Sequence, residues 1–352
     1  MRAIPFSRRA LIGAALASIP PAAWAQSAGR SLRDAAGRES RIPARITRVF
    51  PAGPPASQLI WSVAPDLLAG WTRRPSSAEL AFLPPEAAGL PEIGRLTGRG
   101  DTANAEAVLA LKPDLILDYG STGPTYASLA DRLQAQTGLP TLLLDGSLTR
   151  IPETYRLLGD ILDRAPAAKE RADIAARLLA EAEDCAARLT ARGRPRVYYG
   201  RGPRGLETGL TGSINTEIIE AVGAENVSAR SLGSGGLAQV SPEDVLAWDP
   251  DWIITPDPAF AAATKTDPVW SSLRAVKAGR VVLAPVLPNG WVDFPPAANR
   301  LLGLAWLPVL FGDQPADGLA ARIADLYTLL FHRRPERAQL EALLQGALPR
   351  SI

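Results

Sequence analysis

A phrase that occurs twice, once in each half of this 352-residue chain, limits the fold more than any other feature. Glu106-Ala-Val-Leu-Ala-Leu-Lys-Pro113-Asp114-Leu-Ile116 aligns without a gap to Glu243-Asp-Val-Leu-Ala-Trp-Asp-Pro250-Asp251-Trp-Ile253. In each copy, apolar residues at helical spacing give way at Pro-Asp to a run that reads as a buried strand. A helix start signal precedes both, Asn104 in the first copy and Ser241-Pro242 in the second. One helix–strand unit used twice predicts two α/β lobes built alike. Two such lobes facing each other make a cleft.

The remaining strand candidates, 46–50, 114–119, 141–145, 196–199, 252–255 and 280–284, alternate with helical stretches, as in an α/β fold with parallel sheets. Between the two groups, residues 167–192 hold no Gly or Pro and carry apolar residues at helical spacing. A helix of that length reaches about 37 Å, enough to cross from one lobe to the other. The expected fold class is therefore α/β: two Rossmann-like lobes, each with a central sheet, joined by a long rigid α-helix. The boundaries read as an export signal over 1–25, an N-terminal lobe over 26–150, a helical linker over 151–192, and a C-terminal lobe with closing helices over 193–352.

At the N-terminus, Ser7-Arg8-Arg9-Ala10-Leu11-Ile12 leads into a small apolar run and ends at Ala23-Trp24-Ala25. That is the layout of a cleavable signal peptide. The paired arginines resemble the twin-arginine type, and an ordinary signal that happens to carry two arginines is the alternative. The formal net charge is +2, and residues 1–25 hold Arg2, Arg8 and Arg9 but no acid, so the remainder carries −1. Such a balance points to neither nucleic acid nor an anionic membrane surface as partner. Cys185 is the one cysteine. It has no internal disulfide partner, and no cysteine stands at the signal junction to take a lipid, so the mature chain is expected to be soluble in the periplasm.

Ligand residues should come from loops that follow strand ends, where open α/β sheets bind their ligands. The first half offers Gly53, Tyr119 and Ser121; the second offers Tyr199, Arg201, Asn215, Trp291 and Asp293. Arg201 stands out, flanked by glycines and carrying a fork suited to carboxylate or catecholate oxygens. It also reads as a plain surface arginine of an Arg-rich chain. Trp291 offers a flat face to a planar chelate or packs in the second-lobe core. Asp293 binds ligand, or holds Arg300 or Arg201. The glycines of 200–205 lack the Lys-Ser/Thr ending of a phosphate-binding loop.

His332 is the one histidine and reads as an exposed helix-end residue. Sites for bare zinc or manganese need several His, and Cys and Met are too scarce for copper(I). No G-x-S-x-G elbow occurs. A hydrolase built on Asp118 with Asp145 is the rival from another class, but carboxylates that cap loops are far commoner. The expectation is a binding protein, with no catalytic residues, no cofactor and no direct metal ligands.

Taken in order, Asp34-Ala-Ala-Gly37-Arg38, Arg48-Val49-Phe50, both copies of the repeat, Ala221-Val-Gly-Ala-Glu-Asn226, Asp267-Pro-Val-Trp270 and Ala275-Val-Lys-Ala-Gly-Arg280 resemble one family across nearly all of the chain. It is that of the periplasmic binding proteins for iron–siderophore complexes, haem and vitamin B12 that use a rigid helical linker. The resemblance implies that the chain captures a metal chelate of iron or cobalt in the interlobe cleft. A ferric siderophore comes first; cobalamin or haem and a molybdate-type oxyanion are alternatives. It implies a monomer that hands its ligand to the permease dimer of an ABC transporter and touches the membrane only through it. Glu106 and Glu243 would dock into arginine pockets of that permease. By position alone each is also a carboxylate near a helix N-terminus, stabilised by the helix dipole. A sensor that binds the same chelate without transport would use the same surfaces.

Overall fold

The computed structural model describes residues 29–98, 100, 102–229 and 233–349; the expected export signal lies outside them. The chain opens with an antiparallel hairpin, β1 (Arg30–Arg33) and β2 (Glu39–Ile42). Its turn is held by Asp34, whose Oδ1 accepts from the N–H groups of Ala36 and Arg38. Arg38 donates to the Thr141 carbonyl and so ties the hairpin to the first lobe's sheet.

That sheet is parallel, in the order β3 (Val49–Pro51), β4 (Leu115–Gly120), β5 (Thr141–Asp145). The second lobe's sheet is also parallel, in the order β11 (Val281–Leu283), β10 (Trp252–Thr255), β6 (Arg196–Tyr199), β8 (Glu225–Asn226). A small antiparallel pair, β7 (Glu207–Gly209) and β9 (Leu237–Gln239), sits beside it. The helices that position the site are α1 (Pro54–Val63), α2 (Ala105–Ala110), α3 (Pro124–Thr137), α4 (Ile151–Leu162), α5 (Ala165–Arg192), α6 (Pro242–Trp248), α7 (Arg300–Leu310), α8 (Leu319–Phe331) and α9 (Arg337–Leu344).

The internal repeat extends beyond the phrase that reveals it. Phe50 pairs in register with Ile116, and Val108 of α2 joins the same apolar cluster. In the second lobe Tyr198 pairs with Ile253, and Val245 of α6 completes the equivalent cluster. The aspartate of each Pro-Asp turn explains its recurrence. Asp114 donates its N–H to the Arg48 carbonyl while its Oδ2 accepts from the Arg48 N–H at 2.9 Å. Asp251 does the same with Arg196, at 3.0 Å. Each aspartate pins the start of the neighbouring strand, so Arg48–Gly53 and Arg196–Arg201 are structural counterparts.

The connector α5 is 28 residues long and buries an alanine-rich stripe that includes Ala168, Ala172, Ala175 and Ala182. Small side chains let α4 lie close against it: a Cβ on Gly159 would stand 2.5 Å from the Ala168 Cβ. Ion pairs from Arg188 and Arg192 to Asp313, at 2.8 and 3.0 Å, fasten its far end. Nearer its start, Arg171 donates to the Leu329 carbonyl of α8 at 2.7 Å.

One difference from the sequence expectation concerns the closing helices, which belong to both lobes rather than to the second alone. Arg333 donates to the Leu83 carbonyl and Gln339 to the Ala81 carbonyl, both in the first lobe. Trp306 of α7 donates to Ala347 just past α9. The same main core cluster holds Leu59 and Trp61 of the first lobe, Ile254 of the second, and Tyr327 and Phe331 of α8. Among the described residues, no helix is long and apolar enough to cross a membrane.

Candidate functional site

The C-terminal edges of the two sheets face a cavity of 620 Å³. Pro54 follows β3, Gly202 follows β6, Asp257 follows β10 and Val286 follows β11, and all four line it. Cavities of this size suit an organic ligand better than a single small ion.

The first-lobe wall is α1, which starts directly after β3 with Gly53 as N-cap and Pro54 at its first position. All its residues from Ala56 to Val63 are buried, so Gln58 stands as a single amide inside an otherwise apolar and small-polar helix. Gln58 and Trp61 are three residues apart, which puts both on one face, and both line the cavity. Gln58 is only 3% exposed, and among the described residues neither atom of its amide has a hydrogen-bond partner; the Trp61 indole N–H has none there either. Trp71 stacks at a tilt on Trp61, ring centroids 4.9 Å apart, with its own N–H satisfied by the Ala87 carbonyl. Arg73 closes this side in a bidentate pair with Glu79, at 2.7 and 3.0 Å.

His332 departs from its expected place. It is half-buried, not exposed, and its Nε2–H donates to the Trp61 carbonyl at 2.9 Å, behind the cavity wall. Burial pushes its pKa below the ordinary histidine value, with hydrogen bonding to Trp61 acting against the shift. The α8 helix carries it there when the closing helices return to the first lobe.

The second-lobe wall is led by Phe294, 46% exposed, with a backbone φ of 65° that a phenylalanine rarely adopts. Its ring covers the Arg201 guanidinium, 4.2 Å from centroid to carbon. Behind it lies a buried charge network. Arg201 pairs with Asp293 at 2.8 Å and with Glu207. The Tyr199 hydroxyl donates to Asp293 Oδ1 at 2.7 Å and the Asn215 amide to Oδ2 at 3.2 Å. Burial lifts the Asp293 pKa to about 6, with the Arg201 charge holding it down from rising further.

Of the loops singled out from sequence, those after Gly53, Arg201 and near Asp293 supply Pro54, Gly202, Asn289 and Phe294 to the cavity lining, whereas the loops holding Tyr119, Ser121 and Asn215 supply no lining residue. Tyr199, Arg201, Asn215 and Asp293 come together as the network just described. Trp291 requires a correction: it is fully buried, edge-on to Trp306 and Tyr327, with its N–H donating to the Tyr327 hydroxyl. Gly303 of α7 draws it down, since a Cβ there would stand 2.2 Å from the Trp291 carbonyl oxygen. Gly53 is demanded by Thr97, whose Oγ1 would be 2.6 Å from a Cβ. Ser121 accepts from the Gly123 N–H in the turn before α3. Tyr119 is buried, its pKa raised to about 12 by desolvation and partly offset by nearby Arg300. Arg300 is itself fully buried, bound to Glu217, to the Ile214 carbonyl and to the Gly146 carbonyl of the first lobe. Asp293 thus serves Arg201, and Arg300 has a carboxylate of its own.

The two carboxylates of the repeat lie elsewhere. Glu106 and Glu243 are exposed in the first turns of α2 and α6, after side-chain caps from Asn104 and Ser241. Each helix passes through a tight turn into the parallel strand beside it, so it runs antiparallel to that strand. The carboxylate end of each helix therefore points the same way as the C-terminal end of the strand that follows it. Among the described residues, no three or more His, Cys, Asp or Glu side chains are grouped to hold a metal ion.

Residues 86–286 match the family model described as periplasmic binding protein, more than half of the chain. The chain belongs to the periplasmic binding protein family. The cobalamin-binding protein of Halobacterium salinarum is 29% identical over 232 residues, which cover 63% of this chain and 57% of that protein. The molybdate-binding protein MolA of Haemophilus influenzae is 25% identical over 242 residues, covering 62% and 66%. The matched stretch thus spans less than two thirds of either relative's own length. A solved ABC transporter solute binding protein from Sulfurospirillum deleyianum superposes with a TM-score of 0.81 at 27% identity, over 90% of this chain and 99% of that one. The two-lobed α/β architecture is that of the periplasmic binding protein fold.

Proposed function

We propose that this periplasmic binding protein is the solute-binding component of an ABC importer and carries a bulky metal chelate of corrinoid type in the interlobe cleft. The observation that supports it best is the cavity lining: Trp61, Trp71, Leu83, Val286 and Phe294 make it largely apolar, and the buried Gln58 amide, which has no partner among the described residues, stands in the same wall. A macrocycle with amide arms uses both. A small doubly charged oxyanion gains little, because Arg73 is paired with Glu79 and Arg201 is shared between two carboxylates beneath Phe294. The same pairing weakens the case for an anionic ferric siderophore, whose main attraction was a free Arg201. Similarity to the Halobacterium cobalamin-binding protein is consistent with this choice. The metal enters wrapped in its chelator, and the cleft binds and releases it without chemistry.

Glu106 and Glu243, one per lobe, are the anchors for the permease, and export to the periplasm precedes the whole cycle. Titration with cyanocobalamin, ferric catecholate, haem and molybdate tests the ligand. Saturable one-to-one binding of the corrinoid, tighter than the others, is expected; tighter binding of molybdate or the ferric catecholate overturns the assignment. Reversing the charge of Glu106 and Glu243 together should abolish uptake and leave affinity for the ligand unchanged. A large loss of ligand affinity would contradict the docking role.

A further inference from the structure

Among the described residues, five large apolar side chains are more than a third exposed. Isolated exposed apolar residues, such as Tyr126, are ordinary, but the other four fall into two pairs. Val286 and Phe294 line the cavity. Leu109 and Leu246, 44% and 37% exposed, fall at the same position of the internal repeat, three residues after Glu106 and Glu243. Spacing by three places each leucine on the same helical face as its glutamate. The inward faces are equally matched, with Val108 packed on Phe50 and Ile116 and Val245 on Tyr198 and Ile253. Each lobe therefore presents the same outward pair, a carboxylate in the first helical turn and a bare leucine one turn further on. Within each lobe nothing needs the leucine to be exposed, and an alanine or a charge would serve solubility better.

We infer that Leu109 and Leu246 are the apolar halves of two equivalent docking contacts, and that each Glu–Leu pair fits a cationic pocket with an apolar wall. The inference rests on the importer reading and names what that reading leaves open. The partner is the pair of membrane-embedded subunits, because two like patches on two like lobes ask for two like receivers. The carboxylate steers and orients through a charge that salt screens. The leucine, once covered, adds a contact that salt does not weaken.

The test is binding of the full-length mature protein to its importer reconstituted in lipid nanodiscs, at low and high salt. The variants are Leu109→Ala with Leu246→Ala, and separately Glu106→Gln with Glu243→Gln. Because all four side chains are exposed, the fold should survive, and unchanged thermal melting and cyanocobalamin affinity check that it has. The leucine pair of substitutions should weaken binding about ten-fold or more at both salt concentrations. The glutamate pair should weaken it chiefly at low salt. Wild-type binding by the leucine variant, with loss only in the glutamate variant, overturns the inference and leaves the importer reading standing. Full binding by both variants, or no binding by the wild-type protein, overturns both.

Discussion

Asp293 shows how a single buried carboxylate sets the character of the second-lobe wall. Its pKa of about 6 lies above the ordinary 3.8 because burial outweighs the pull of Arg201. Between those values the folded protein keeps a proton that the unfolded chain has released. The stability tied to this group is thus full below the unfolded value and is lost as pH rises through about 6. Asp293→Asn should remove that component, so the difference in unfolding free energy between variant and wild type should change across this window; urea titrations in steps from about pH 4 to 7 would read it. A constant difference would place the proton elsewhere. Gln58 makes the opposite case, an uncharged group with no partner among the described residues. Replacing it by leucine should stabilise the empty protein by about 1–3 kcal/mol, the cost of an unsatisfied buried amide, while weakening the ligand. Thermal melts with and without cyanocobalamin separate the two effects.

At the scale of elements, strands were the most readable part of the sequence. Most core strands are short apolar runs closed by Gly, Pro or Asp, and Thr141–Asp145 and Trp252–Thr255 lie where that pattern puts them, whereas the two-residue edge strand Glu225–Asn226 has no such pattern and went unread. The long helix was readable for the same kind of reason, an uninterrupted 3.6-residue pattern ending at Gly193. The site was less so. Loops could be assigned to the cleft, but side chains at strand ends alternate between cleft and core, and the sequence does not say which way Arg201 or Trp291 turns. Arg201 is claimed by Glu207 across a β-bridge and by Asp293 from a distant loop. Trp61 and Gln58 went unread because α1 is buried on every side from Ala56 to Val63 and so looks like pure core. The α4–α5 contact depends on Gly159, and Gly159→Val should cost roughly 1–3 kcal/mol by forcing the two helices apart. Chemical denaturation would register it, and a neutral result would mean that the helices can shift freely.

For the whole molecule, the sequence suggested two lobes and one connector, whereas the chain crosses between lobes again when α8 and α9 settle against the first lobe. That return is a tertiary fact: α8 buries Leu326, Tyr327, Leu330 and Phe331, and no local pattern says against which lobe. With α5 and the closing helices both spanning the back, ligand binding should tilt the lobes only slightly. Spin labels at Ala107 and Ala247, both exposed, should report a distance change of a few ångströms at most on addition of cyanocobalamin. A swing of domain-closure size would contradict the doubly fastened back.

Such a frame behaves like a pair of callipers. The helices at the back are the pivot, the cleft lies partway along the jaws, and the glutamate ends of α2 and α6 point toward the strands' C-terminal side of each jaw. Force applied at the tips has leverage over the cleft, whereas thermal motion at the pivot has little. Opening then needs no spring within the protein itself; the work can be done by whatever grips the tips.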